Sequence, residues 1–277
     1  MGDRLITRSN DKMKRLRKLV HNSGFRNLED AFVVEGPNAV EALLRSDFDV
    51  DALFWGSDLK DSHKVLVAVA DSRGIVTFEV TPGVLESLLD MSNPQPLVAV
   101  VRMPKVKPPD YSSSLPILVL DEVRDPGNAG TMIRSAHATG VRDLVFLNGS
   151  VDPYNPKVVR ASAGSLFFVT CHVDVSTAQL IDQVKRGGYD LYSTAAQNDD
   201  VYKVSTSIFT QVDLSKNVAL VIGNEATGIT SDLLSASNRI LSIPIADSLE
   251  SLNASMAATI LLFESWRQRG WSQDNKV

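Results

Sequence analysis

The chain has 277 residues, with 28 basic against 33 acidic side chains, a net charge of −5, and 44% hydrophobic residues. That is an ordinary globular mix, long enough for about two domains, and it excludes a uniformly basic nucleic-acid coat without excluding a local basic patch. The single cysteine, Cys171, excludes an internal disulfide framework and a thiolate zinc cage. The four histidines (His21, His63, His137, His172) show no metal-ligand spacing, so no metal is expected. No apolar run approaches the roughly 18–20 residues of a membrane span. The start of the chain has no secretory pattern, and a cytoplasmic protein is the expectation.

In chain order, Met13, Leu16, Leu19 and Val20 at helical spacing predict a helix over 10–21 with Asn10 as its N-cap. Between them stand cations. The first 26 residues hold eight basic side chains against Asp3 and Asp11, a local +6. This is either a solvated face or a phosphate-contacting element. Strands are predicted at 32–34, 52–55, 75–80 and 96–102. Helices are predicted from Gly36-Pro37 through Leu44, over 63–70, and from Thr81-Pro82 with Val84, Leu85, Leu88 and Leu89 on one face. Strands alternating with helices indicate an α/β layer. Residues 103–116, with Pro104, Pro108, Pro109, Pro116 and three serines, predict a linker. A second α/β series follows. Its predicted strands are 117–121, 144–147, 167–172, 190–194, 218–222 and 240–243. Its predicted helices are 128–139, 155–164, 176–186, 229–236 and 252–268, the last with Leu252, Met256, Ile260 and Phe263 at helical spacing.

Three loops of this second series resist explanation as packing. The first, 121–130, reads D-E-V-R-D-P-G-N-A-G and runs from a strand into a helix bearing Arg134. Such turns expose backbone amides at the carboxyl end of a sheet, where open α/β folds bind ligands. The second, 221–229, is a glycine-flanked polar turn around Glu225. The third joins Ile243-Pro244-Ile245 to Ser251-Leu252-Asn253-Ala254-Ser255. Taken singly, each reads equally well as a surface turn, with Ser251 as a helix N-cap.

The three strings in this order, D-P-G-N-x-G-x-x-x-R, G-x-E-x-x-G-I and I-P…S-L-N-x-S, resemble the SpoU (TrmH-like) RNA ribose 2′-O-methyltransferases of the SPOUT superfamily. The similarity spans about 117–269. The N-terminal part, with Ile6-Thr7-Arg8-Ser9-Asn10 and Phe32-Val33-Val34-Glu35-Gly36, is similar to that family's L30e-like substrate-binding module. The resemblance implies an L30e-like α/β domain over 1–103, a linker over 104–116, and over 117–277 a SPOUT α/β domain with a trefoil knot. It further implies S-adenosylmethionine as cofactor, an RNA substrate and a homodimer.

By motif position it implies catalytic or positioning roles for Arg134, Asn128, Glu225 and Asn253, with Asn128 and Glu225 holding the arginine. It implies cofactor contacts from Thr194, Ala195, Gly223, Ile243, Leu252 and Ser255. Arg8, Lys12, Lys14, Arg15 and Lys18 are the candidate RNA phosphate contacts. Asp247 stands where the family usually has glycine, a source of strain if the backbone there needs a positive φ.

A full N-terminal module points to large-subunit ribosomal RNA. The alternatives are a tRNA ribose methyltransferase, an antibiotic-resistance enzyme acting on ribosomal RNA, and a catalytically silent RNA-binding paralogue. A dinucleotide-dependent oxidoreductase is disfavoured, because no G-x-G-x-x-G follows a strand.

Overall fold

The structure, a computed structural model, describes residues 6–89, 96–106, 108–109, 111, 115–194 and 206–272. The first elements are α1 (Asp11–His21), α2 (Ser23–Glu29), β1 (Ala31–Glu35), α3 (Pro37–Leu44), β2 (Val50–Gly56), α4 (Asp61–Ser72), β3 (Thr77–Val80) and β4 (Leu97–Arg102). Then follow β5 (Ile117–Leu120), α5 (Pro126–Ala138), β6 (Asp143–Leu147), α6 (Pro156–Ala161), β7 (Thr170–Val175), α7 (Thr177–Arg186) and β8 (Asp190–Thr194). The last are β9 (Thr206–Ile208), β10 (Val218–Ile222), α8 (Ser231–Ala236), β11 (Arg239–Ser242) and α9 (Ala254–Gln268). The chain divides into two compact units. One runs to Lys105 and takes in Tyr154–Phe167. The other comprises Val106–Pro153 and the chain from Phe168 onward.

The first unit is built on a four-stranded sheet of order β1-β4-β2-β3. Strand β4 is antiparallel to both β1 and β2. Helix α1 forms as its pattern demands. Asn10 accepts the Lys12 amide at 2.9 Å, and Met13, Leu16 and Leu19 are buried against Val33, Phe54, Val98 and Val100. Helix α2 was not foreseen, because its seven residues carry no apolar period and Leu28 is 78% exposed. The helix expected after Thr81-Pro82 is instead a run of turns. Gly83 takes φ +77°, which breaks a helix in its first turn. Leu85, Leu88 and Leu89 nevertheless reach the core.

Helix α6 packs on β1 within this same unit. The Phe32 and Tyr154 rings lie 4.9 Å apart, and Phe48 meets Phe167 edge-on at 5.4 Å. The strand expected over 167–172 starts later. Ala163 and Gly164 are left-handed, a 3-10 turn occupies Ser165–Phe168, and only then does β7 begin. A Cβ on Gly164 would lie 2.5 Å from the Ala42 Cβ, so glycine is required at this approach.

The second unit holds a seven-stranded sheet of order β7-β6-β5-β10-β8-β11-β9, parallel throughout. Strands β5 and β10 are buried at every residue, the continuous apolar pattern that a parallel sheet covered on both faces requires. Short β9 carried no readable sequence signal. Tyr111, inside the expected linker, is docked: its hydroxyl donates to Gln183 Oε1 of α7 at 3.1 Å, and its ring meets Tyr189.

Helix α9 buries a different face from the one its large residues suggested. Ala254, Ser255, Ala258, Leu261, Leu262 and Ser265 face inward, while Met256 is 61% and Phe263 39% exposed. The small residues permit close approach to α5, where Ser135 and Thr259 share a 2.7 Å hydrogen bond. Periodicity of large side chains overlooks a face made of alanine and serine. Among the described residues no helix is long and apolar enough to cross a membrane.

Candidate active site

Adjacent parallel strands deliver their carboxyl ends to one edge of a sheet. Since β5 and β8 flank β10, and β11 flanks β8, the loops after all four strands emerge side by side. The three polar loops of the sequence therefore meet here.

They are joined by one carboxylate oxygen. Glu225 Oε1 accepts from Asn128 Nδ2 at 2.7 Å, from Asn253 Nδ2 at 2.6 Å and from the Ala254 amide at 3.4 Å. Asn253 also donates to Asn128 Oδ1 at 3.0 Å. Its own Oδ1 caps α9, accepting from the Ser255 amide and hydroxyl at 2.9 and 2.6 Å. Asn253, not Ser251, is thus the helix N-cap, and a carboxylate at a helix start is favoured by the helix dipole. Asn128 is fixed from behind, where Asp125 accepts its amide at 2.7 Å.

Behind this cluster the loops are tied twice more. Buried Asp121 accepts the Thr230 amide at 2.7 Å. Burial pushes the Asp121 carboxyl above its ordinary range, while the hydrogen bond from the Thr230 amide pulls it back. Asn224 Nδ2 donates to the Glu122 carbonyl at 2.9 Å, and Glu122 itself sits at φ +52°. Sequence reasoning passed over Asp121 and Asn224. A carboxylate directly ending a buried strand was the available signal for the first.

Beside the cluster lies a cavity of about 430 Å³. Its walls include Thr194, Gly223, Leu241, Ile243, Ser251 and Leu252, with Glu225 at its border. The volume falls within the usual range of small-molecule sites. Of the expected cofactor contacts, Thr194, Gly223, Ile243 and Leu252 line it. Ser255 does not, being buried in the α9 cap, and Ala195 lies outside the described residues. Leu241, Ile245 and Ala257 also line the cavity and were missed, since aliphatic walls leave no mark that separates them from core.

Gly223 is sterically required. A Cβ there would meet the Gly228 carbonyl carbon and oxygen at 2.5 Å and Ile229 Cγ1 at 2.6 Å. Gly223→Ala is expected to cost about 1–3 kcal/mol as an overpacking change and to weaken cofactor binding at least about tenfold by displacing the cavity wall. Calorimetric titration and thermal unfolding would measure both. Asp247 is not among the positive-φ residues, so the strain anticipated at this position does not arise.

Arg134 is exposed on α5. The expectation that Asn128 and Glu225 hold it is not what the chain forms: their polar groups engage each other and Asn253, and among the described residues Arg134 bonds to neither.

In the first unit, Arg8, Lys12, Lys14 and Lys18 are exposed. Lys12 lies 4.6 Å over the Phe78 ring, Lys18 lies 5.1 Å over Phe25, and Lys14 pairs loosely with exposed Asp11. Arg15 differs. It is half-buried between Glu29 at 2.9 Å and Asp51 at 3.1 Å, and is held there as a structural clamp.

Comparison with known proteins points to one family. Residues 116–263 match the family model described as the SpoU rRNA methylase family, and residues 10–99 match an MRM3-like substrate binding domain. The chain is 32% identical over 257 residues to the 23S rRNA (guanosine(2553)-2′-O)-methyltransferase RlmP of Bacillus subtilis, covering 92% of this chain and 95% of that protein. It is 30% identical over 278 residues to the 23S rRNA (uridine(2479)-2′-O)-methyltransferase of Streptomyces viridochromogenes, covering 96% and 93%. The crystal structure of AdoMet-bound rRNA methyltransferase from Sinorhizobium meliloti superposes with a TM-score of 0.82 at 27% identity, covering 95% of this chain and 97% of that one.

Proposed function

Because this chain belongs to the SpoU rRNA methylase family, we propose that it transfers a methyl group from S-adenosylmethionine to a ribose 2′-hydroxyl of large-subunit ribosomal RNA in the cytoplasm. The observation that carries this reading is the convergence of Asn128, Glu225 and Asn253 on one carboxylate oxygen beside the cavity. The ribosomal substrate rests on the named activities of the two relatives and on the matched substrate-binding domain.

The cavity suits the cofactor. Its volume fits, and Gly223 keeps a wall open that any side chain would close. Thr194, Gly223, Ile243 and Leu252 would hold it. When bound, S-adenosylmethionine supplies an electrophilic methyl group on a cationic sulfonium, and the Glu225 carboxylate is a complementary charge at the border.

The chain's own residues then have two tasks. A ribose hydroxyl is a poor nucleophile and must be held in line with the methyl group. The Asn128–Glu225–Asn253 cluster performs this positioning by fixing the three loops around the reacting centre. The hydroxyl also needs its developing negative charge stabilised. Arg134 does so as a hydrogen-bonding cation. An arginine stays protonated at neutral pH, so the released proton passes to water or phosphate.

The exposed apolar side of α9, with Met256 and Phe263, forms the contact of a homodimer. The arginine of one subunit serves the cavity of the other. This fits an Arg134 that makes no bond to its own Asn128 or Glu225. A trefoil knot in the C-terminal segment fits a sheet in which β10 lies between β5 and β8 while α9 returns to pack on α5.

The test uses purified protein, methyl-labelled cofactor and total RNA, ribosomal and transfer RNA together, from cells lacking the protein. Label is expected in a ribose 2′-O-methyl nucleotide of the large-subunit RNA. Label in a base, or none, would overturn the activity. Label in tRNA alone would overturn the substrate.

A further inference from the structure

A second cavity, of about 260 Å³, lies within the first unit, where the end of α1 and the start of α2 face α6. Its lining is His21, Ser23, Arg26, Asn155, Lys157 and Arg160, with Val20 and Pro156, and it contains no carboxylate. Lys157 and Arg160 stand three residues apart on α6 and so share a face. Nearly buried Glu35 grips Arg160 at 2.5 Å, which fixes that guanidinium's orientation.

Three further donors line the cavity. Asn155 uses its Oδ1 to accept the Lys157 amide at 2.9 Å, which leaves its NH₂ without a partner among the described residues. The Ser23 hydroxyl and the Lys157 ammonium likewise have none there. The Lys157 ammonium, the Asn155 NH₂ and the Ser23 hydroxyl line one concavity whose walls include no carboxylate, and together they form a receptor for an oxyanion. Packing alone does not call for Lys157, which is exposed while its neighbours Val158 and Val159 are buried.

We propose that this notch binds a backbone phosphate of the RNA substrate, with Lys157 as its principal charge. The inference rests on the RNA-methylating reading above and adds a phosphate site on α6 to the candidate contacts Arg8, Lys12, Lys14 and Lys18. A phosphate contact positions RNA without reading its sequence. It also contributes about one released counterion to the salt dependence of binding.

The test measures binding of large-subunit ribosomal RNA, transcribed in vitro, to the full chain and to Lys157→Gln across a series of salt concentrations. Calorimetric binding of S-adenosylmethionine serves as the fold control. The variant is expected to bind RNA about three- to tenfold more weakly at low salt, with a log–log salt slope reduced by about one. Lys157→Arg should restore both values. An unchanged affinity and slope would overturn the proposal. So would a site for small anions alone, seen if inorganic phosphate protects the parent more than the variant against heat at matched ionic strength while their RNA affinities agree. Failure of the functional reading is separable, since the unaltered protein would then label no RNA.

Discussion

Arg134→Ala is expected to abolish methyl transfer, with at least about a 10²–10³-fold loss in rate, while cofactor affinity stays near that of the parent. The side chain is exposed and lies outside the cavity lining, so its removal leaves the cavity wall and the core untouched. Thermal stability should accordingly shift by no more than about 0.5 kcal/mol. In the proposed mechanism, what disappears is the cation that meets the developing oxyanion. Mixing variants tests where that cation acts. Arg134→Ala supplies an intact cavity, and Gly223→Ala supplies an intact arginine. If the arginine serves the partner's cavity, each mixed dimer regains one working site. Assayed at a cofactor concentration too low to fill the Gly223→Ala cavity, co-refolded protein should then recover about a quarter of the parental rate, since half of random dimers are mixed and each has one of two sites restored. If the arginine serves its own cavity, no mixture recovers activity. Retention of transfer by Arg134→Ala alone would remove this residue from the mechanism.

The residues easiest to identify in the sequence were polar ones at strand ends. Asn128 follows Gly127 and Glu225 lies two residues after Gly223, each in a polar turn after an apolar run, while Asn253 opens the last helix; singly each reads as a surface turn, and it is the resemblance of the three strings to a known family that implies their roles. Fold class was legible for a related reason: fully apolar runs such as Ile117–Leu120 and Val218–Ile222 leave few alternatives to buried parallel strands. Other features depended on three-dimensional neighbours. Arg15 has the same local sequence context as Lys14 and Lys18, yet Glu29 and Asp51 convert it into a clamp. Helix α6 follows β6 in the chain but buries its apolar side on β1. The buried face of α9 consists mainly of alanine and serine, which hydrophobic periodicity weighs lightly, so attention fell on Met256 and Phe263, which stay exposed. Walls such as Leu241 and Ala257 became site residues only once the loops around them were closed.

Glu225 provides the sharpest test of the positioning cluster, because one of its oxygens gathers donors from two loops. Glu225→Ala removes the acceptor for Asn128, Asn253 and the Ala254 amide together. The Asn253 Oδ1 cap on α9 is independent of Glu225 and survives. The helix should therefore stay formed, and water can reach the exposed amides, so stability should fall by only about 1 kcal/mol. The rate is expected to fall much further, by about 10²-fold, because loops no longer held together misplace the ribose relative to the methyl group. Glu225→Gln keeps an amide oxygen able to accept two of the three donors but loses the charge that strengthens them. It should lose only about tenfold, and its deficit should lie in kcat more than in the KM for RNA. A purely structural role for Glu225 predicts the opposite ordering of effects: a large fall in thermal stability, with the surviving folded fraction working at the parental rate. Single-turnover rates measured beside thermal unfolding for both variants separate the two. If Ala and Gln lose activity equally and in proportion to lost folded protein, the carboxylate does not position the reaction.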